Sequence, residues 1–213
     1  MVRQVENKTK TTYENNRIMK TEVSEKKATG QTRAGDKSGS SKPDAENVEM
    51  MKKMEAASSP GPAHKALDAL AGDWKVEMKC GTEPGGSPQV TQGTAKAQWT
   101  FNGRFLEEEF HGQMMGKPFT GRTVWGFDNT KQTFNSVWIS DTATSMFTSE
   151  GKGDSGNKVI TMEGKTSCAV TGRTDLTMKT VLRVSSRDKH VLEMFDESKG
   201  GNAKMMEITY TRK

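Results

Sequence analysis

The sequence predicts an all-β protein: an antiparallel up-and-down barrel of about ten strands, led in by a short helix and a disordered polar tail. Three observations carry this. Of 14 aromatic residues, 13 fall between Trp74 and Tyr210, and only Tyr13 lies earlier. From Trp74 onward, strand-like runs and turn signals alternate at the 8–12-residue spacing of a sandwich or barrel. No helix-length apolar period interrupts them, which excludes βαβ crossovers and a parallel sheet.

Residues 1–61 are rich in Lys, Thr, Glu, Ser and Gly and bury too little apolar surface to offset the entropy of ordering, so they read as a disordered tail. Gly35 to Pro43 has the composition of a flexible linker. Within the tail, residues 48–57 (Val-Glu-Met-Met-Lys-Lys-Met-Glu-Ala-Ala) are good helix formers. Val48, Met51 and Met54 make a narrow stripe bounded by Glu55. Two readings stand: a short helix that frays alone, or a lid or docking helix for the barrel.

Ser58-Ser59-Pro60-Gly61-Pro62 breaks the chain and opens a second region, 62–213, which is the barrel domain. Pro62 suits the first turn of a helix, and Leu67, Leu70 and Ala71 share a face before Gly72 stops it. The expected strands are 73–80, 90–101, 104–112, 118–127, 132–139, 143–151, 158–165, 173–184, 190–196 and 203–212. Asn102-Gly103 is a tight hairpin signal. Asp128 to Lys131, Asp154 to Asn157, Ser186 to Lys189 and Lys199 to Asn202 fit hairpin loops, and Glu83 to Pro88 a longer exposed one. Period-2 alternation gives each strand one apolar-leaning face, as with Phe119, Thr123, Trp125 and Phe127, or Phe134, Ser136 and Trp138. Ten meander strands with a single inward face close into a barrel, which also removes exposed edges.

Gly72-Asp73-Trp74, after a helical lead-in and at the start of the first strand, resembles the G-x-W element of lipocalins and other calycins. That resemblance implies that Trp74 plugs one end of the barrel and that Arg212, in the last strand, packs across it. Gly103-Arg104-Phe105-Leu106, Gly116 to Gly121, Gly126-Phe127-Asp128, Val137-Trp138-Ile139 and Glu150-Gly151 resemble the bacterial domain-of-unknown-function family numbered fifteen seventy-nine. This covers about residues 64–213 and implies a lipocalin-like form without an assigned activity. Any ligand is then expected to enter at the end away from Trp74.

The net charge of +5 is spread, with 12 basic against 9 acidic residues in 1–61 and 20 against 18 beyond, so no concentrated face for nucleic acid exists. No run of 18 apolar residues predicts a membrane span. The N-terminus lacks a secretory apolar region, and the expected location is cytoplasmic. Cys80 and Cys168, without a CxxC, suit two thiols better than zinc or a disulfide.

Candidate chemistry is sparse, and no cofactor or metal is expected. A haem-binding calycin relative would need one inward His. Of His64, His111 and His190, the last is best placed by order, but the adjoining Asp188-Lys189 turn predicts that it is exposed. In Glu107-Glu108-Glu109, alternation puts Glu107 and Glu109 on one face and Glu108 on the other, and a solvated face is the expected outcome. An enzyme would have to use Glu107 or Glu109 with Arg122 or Asp141. The main constellation is aromatic: Trp99, Phe119, Trp125, Phe127, Phe134, Trp138 and Phe147, with Thr123, Ser136, Met146 and Met178 interleaved. It is either packed core or the wall of a ligand cup.

The leading expectation is a non-catalytic binding module for a small, mostly apolar molecule, with Phe119, Trp125, Phe134, Trp138, Phe147 and Met178 as its ligand-binding residues. The alternatives are a barrel hydrolase or isomerase, and a scaffold whose tail recruits a protein partner of unknown identity.

Overall fold

The computed structural model describes residues 44–81, 87–168, 172–199 and 203–213. The linker expected over 35–43, most of the loop at 83–88 and the tip of the loop at 199–202 lie outside the described residues.

Ten antiparallel strands form a closed barrel: β1 (Gly72–Cys80), β2 (Gln89–Thr100), β3 (Phe105–Met114), β4 (Lys117–Asp128), β5 (Thr133–Ser140), β6 (Phe147–Gly153), β7 (Val159–Cys168), β8 (Arg173–Ser186), β9 (Lys189–Asp196) and β10 (Ala203–Arg212). Each pairs with its sequence neighbours, and β1 pairs with β10 to close the ring. Turn chemistry sets the hairpins. Phe101, Asn102 and Gly103 all take positive φ in the β2–β3 turn, and Met115 and Gly116 do so between β3 and β4, as a tight hairpin requires. One expected strand is shorter than its turn signals suggested. Residues 143–146 form a loop, because inward apolar alternation begins only at Phe147 and nothing in Ala143-Thr144-Ser145 has a core to reach.

Helix α1 (Ala45–Ser58) extends the expected 48–57 segment at both ends and buries no residue. The Asn129 side chain ties its C-terminal end to the β4–β5 turn by donating to the carbonyls of Ala57 and Ser59 at 3.1 and 2.7 Å. That turn belongs to the same barrel end as Trp74, so α1 does not cover the other end. A second helix, α2 (Pro62–Ala66), runs into a 3₁₀ turn over Leu67–Leu70. His64 accepts the Gly61 N–H at 3.0 Å and meets Phe127 edge to face, so this buried histidine organises the lead-in helix.

Leu67 and Leu70 pack into the closed end with Leu106, Trp125, Phe134, Ile160, Met162 and Leu182. Trp99 packs against this core, and its indole N–H donates to Asp68 at 2.9 Å, fastening the 3₁₀ turn. Trp74 is fully buried, and its indole N–H donates to the Leu70 carbonyl at 2.8 Å. Arg212 lies opposite Trp74 in the closing β1–β10 pair. Its guanidinium stacks on the Trp74 ring at 4.3 Å and donates to the carbonyls of Ala71 and Arg187 and to Asp188. The plug and cover are therefore both in place. A cation over a desolvated indole contributes on the order of 1–2 kcal/mol beyond the hydrogen bonds.

Gly72 is required at the start of β1. Its φ is +129°, and an added Cβ would collide with the Arg212 guanidinium. Gly116 also has positive φ, at +76°, but has open space around it. Gly72→Ala is expected to cost at least about 2 kcal/mol, and Gly116→Ala only about 1 kcal/mol. Urea unfolding of the two variants checks this; equal losses would mean that the Arg212 contact contributes nothing.

Candidate functional site

The closed end is filled by large side chains, whereas the half of the barrel towards Cys80, Met114 and Ser140 is not. There the inner wall surrounds a cavity of about 180 Å³. It is the same order of size as the apolar cavity of about 150 Å³ that holds a benzene in another protein.

Four of the six residues expected to bind ligand line it: Phe119, Trp125, Trp138 and Phe147. Phe134 shares their inward face but sits one level deeper, buried edge to face against Phe127 in the closed-end core. Met178 is half-buried on β8, opposite Gly164 and Asp196, and is not among the lining residues. Met146 is exposed in the β5–β6 loop. Space for the aromatic wall comes partly from Gly121 on β4, over which the Trp138 ring lies; an added Cβ would overlap that ring. Phe110 stacks on Phe119 and meets Trp138 edge to face.

The sequence reading missed much of the lining. Met78, Met194 and Met206 come from β1, β9 and β10, and register places Met194 directly beside Met206. Thioethers pack adaptably against ligands of varied shape. Polar groups also reach the wall. Ser136 and Ser149 satisfy one another at 2.8 Å. By contrast, Trp125 Nε1 and Thr180 Oγ1 are buried without a hydrogen-bond partner among the described residues, and both residues line the cavity. Buried donors are rarely left unmade, since each costs about 1–3 kcal/mol.

Among the described residues, Glu108 is the one carboxyl in the wall. It is the inward member of the Glu107-Glu108-Glu109 triplet, with Leu106 and Phe110 on the same face. Burial raises its pKa to about 7, partly offset by the Tyr210 hydroxyl, which donates to it at 3.2 Å. The Tyr210 phenol is pushed well up by burial and by Glu108.

His190, expected at the surface beside its turn, is instead buried. Its ring stacks on Tyr210 at 4.2 Å between ring centres and meets Trp74 edge to face at 4.4 Å. Burial and the nearby Arg212 charge lower its pKa to about 3. It stands behind Tyr210 and does not line the cavity, so it offers no axial nitrogen there. Among the described residues, no group of three or more His, Cys, Asp or Glu side chains could hold a metal ion. Cys80 and Cys168 lie on the non-adjacent strands β1 and β7 and form no disulfide with each other.

The carboxylates considered for catalysis face outward. Glu109 is half-exposed and pairs with Arg122 at 3.1 Å and His111 at 2.9 Å on the outer wall. Glu107 is exposed, and Thr100 donates to it at 3.3 Å. Asp141 accepts the Thr120 N–H at 3.1 Å and holds a loop. Neither these three carboxylates nor Arg122 lines the cavity.

The sequence matches the family of proteins of unknown function DUF1579 over residues 59–212. The chain belongs to this family. No curated protein sequence matches this DUF1579 member. Among solved structures, Rv2717c from M. tuberculosis aligns with a TM-score of 0.52 and 17% identity, over 73% of this chain and 99% of that one, and shares the barrel fold. A redesigned β-barrel aligns over the same shares with 14% identity and a TM-score of 0.38. Among the described residues, no helix is long and apolar enough to cross a membrane.

Glu108 carries a pH signature. Its folded pKa of about 7 lies above the ordinary 4.5, so the folded state holds this proton more tightly. The associated stability is present below pH 4.5 and is lost as pH rises through 7. Glu108→Gln is therefore expected to be close to wild type at pH 5 and more stable at pH 8, by up to about 3 kcal/mol. Urea unfolding at both pH values reads the difference. His190 is common to both proteins and cancels. An equal difference at the two pH values would rule out an ionising buried Glu108.

Proposed function

We propose that this DUF1579 protein binds a small, mostly apolar molecule inside its barrel and performs no chemistry on it. The observation that carries the reading is the cavity: four aromatic rings expected to contact ligand line it, with thioethers beside them and two buried polar groups lacking partners. Small-molecule sites have this composition, a predominantly apolar concave wall with a few placed polar groups. Entry would be from the end opposite Trp74, where Met114, Ser140 and Thr142 ring the cavity. The volume suits a one-ring compound with a short polar substituent rather than a long acyl chain. An enzyme reading loses its motive because Glu107, Glu109, Arg122 and Asp141 lie on the outer wall and loops.

A mixture of one-ring alcohols, ketones and hydrocarbons, screened by ligand-observed NMR against residues 44–213 and the full chain, tests the proposal. Binding to both is expected. Trp138→Ala should weaken the best hit at least about tenfold while costing roughly 2–4 kcal/mol of stability. Thr142→Trp, at an exposed rim position, should slow or block entry without unfolding the barrel. No saturable binding by any compound to the folded wild type would overturn the reading.

A further inference from the structure

We infer that the cavity selects a ligand with a protonated amine head on an aromatic or compact apolar body. This inference rests on the binding role proposed above and assigns its chemical class. Three features of the wall favour a cation. The first is sign: Glu108 is a buried carboxyl, and among the described residues no Lys, Arg or His side chain lines the cavity. A carboxylate or phosphate head would meet no countercharge there and would face Glu108 itself, an arrangement that buried sites avoid. The second is the set of rings. Phe110, Phe119, Trp125, Trp138, Phe147 and Tyr210 all line the same cavity. Their faces carry negative potential and attract ammonium groups, most strongly when water is excluded. The third is Thr180, a buried hydroxyl of the same cavity wall that has no partner among the described residues and can accept an ammonium N–H. The Trp125 N–H is left as a donor for an oxygen on the same ligand.

Ammonium binding requires Glu108 to be ionised. The groups facing it are few. Tyr210 of β10 donates to it, and its cross-strand partners Ala97 and Thr123 carry no charge. His190 of β9 lies beyond Tyr210 and stays neutral above pH 5 because burial holds its pKa down at about 3. Arg212 lies beyond His190, over Trp74. Among the described residues of the wall, Glu108 is the group that titrates between pH 6 and 8, so amine affinity should follow it.

The test compares 2-phenylethylamine, 2-phenylethanol and phenylacetate, which differ chiefly in head-group charge. Dissociation constants come from indole N–H shifts of the full chain at pH 6 and pH 8. At pH 8 the amine is expected to bind at least about tenfold tighter than the alcohol, and phenylacetate weakest. At pH 6 the amine's advantage should shrink by about tenfold, while alcohol affinity changes little. Glu108→Gln should abolish the advantage and its pH dependence yet still bind the alcohol. The pH comparison needs no variant, so it decides the matter even if Glu108→Gln folds poorly. Alcohol binding equal to or tighter than amine binding at pH 8 would overturn the charge selection while leaving the binding role intact. Failure of all three probes would overturn both.

Discussion

The barrel depends on how its first and last strands are joined. Closure needs β1 to pair with β10 in one register, and the Trp74–Arg212 contact marks that register at the end where the chain enters. A one-residue slip would turn every inward side chain of β10 outward. Arg212 opposes such a slip because it is held from three directions, by the Trp74 face, by the Ala71 carbonyl before β1 and by the Arg187–Asp188 turn before β9. The adjacent Lys213 N–H adds a bond to the Asp73 carbonyl at 3.0 Å. Gly72 permits the approach by leaving a Cβ out of the way of the guanidinium.

Sealing one end this firmly lets the other remain underfilled. The closed-end core combines Leu67 and Leu70 from the lead-in turn with Leu106, Phe134, Ile160 and Leu182 from the strands. Past Trp125, no helix among the described residues fills the bore, and the strands contribute thioethers, hydroxyls and aromatic rings around empty space. Such a space costs stability because its lining atoms lack contacts on one side. The barrel also carries an unpaired indole N–H, an unpaired hydroxyl and a carboxyl near neutrality in the same place. A wall designed only for stability would have none of these, and their coincidence in one cavity is what gives it a functional reading.

Much of the fold was legible because turn chemistry and alternation are local. Asn102-Gly103, the Asp-rich loops and the Gly-Asp-Trp lead-in placed all ten strands to within a few residues, apart from the start of β6. Inward faces followed from parity. Two polar residues were misjudged although parity held the answer. Glu108 shares its face with Leu106 and Phe110, and His190 shares its face with Leu192 and Met194; in both cases the neighbouring apolar residues, not the adjacent charges or turn, report the direction. Depth along the axis was not legible. Phe134 and Trp138 have the same parity, but only cross-strand register shows that one belongs to the plug and the other to the cavity. The Met78, Met194 and Met206 cluster is likewise invisible until β1, β9 and β10 are brought side by side.

The central claim is that ligand enters the half of the barrel away from Trp74 and occupies it. Methyl NMR of methionine-labelled protein tests this directly, because the methyls are distributed along the axis. Addition of a binding one-ring compound is predicted to shift the methyls of Met78, Met194 and Met206, which line the cavity, and to leave Met162 in the closed-end core and Met50, Met51 and Met54 on α1 unchanged. Shifts confined to Met162 or to the α1 methionines, with the cavity methyls silent, would contradict it.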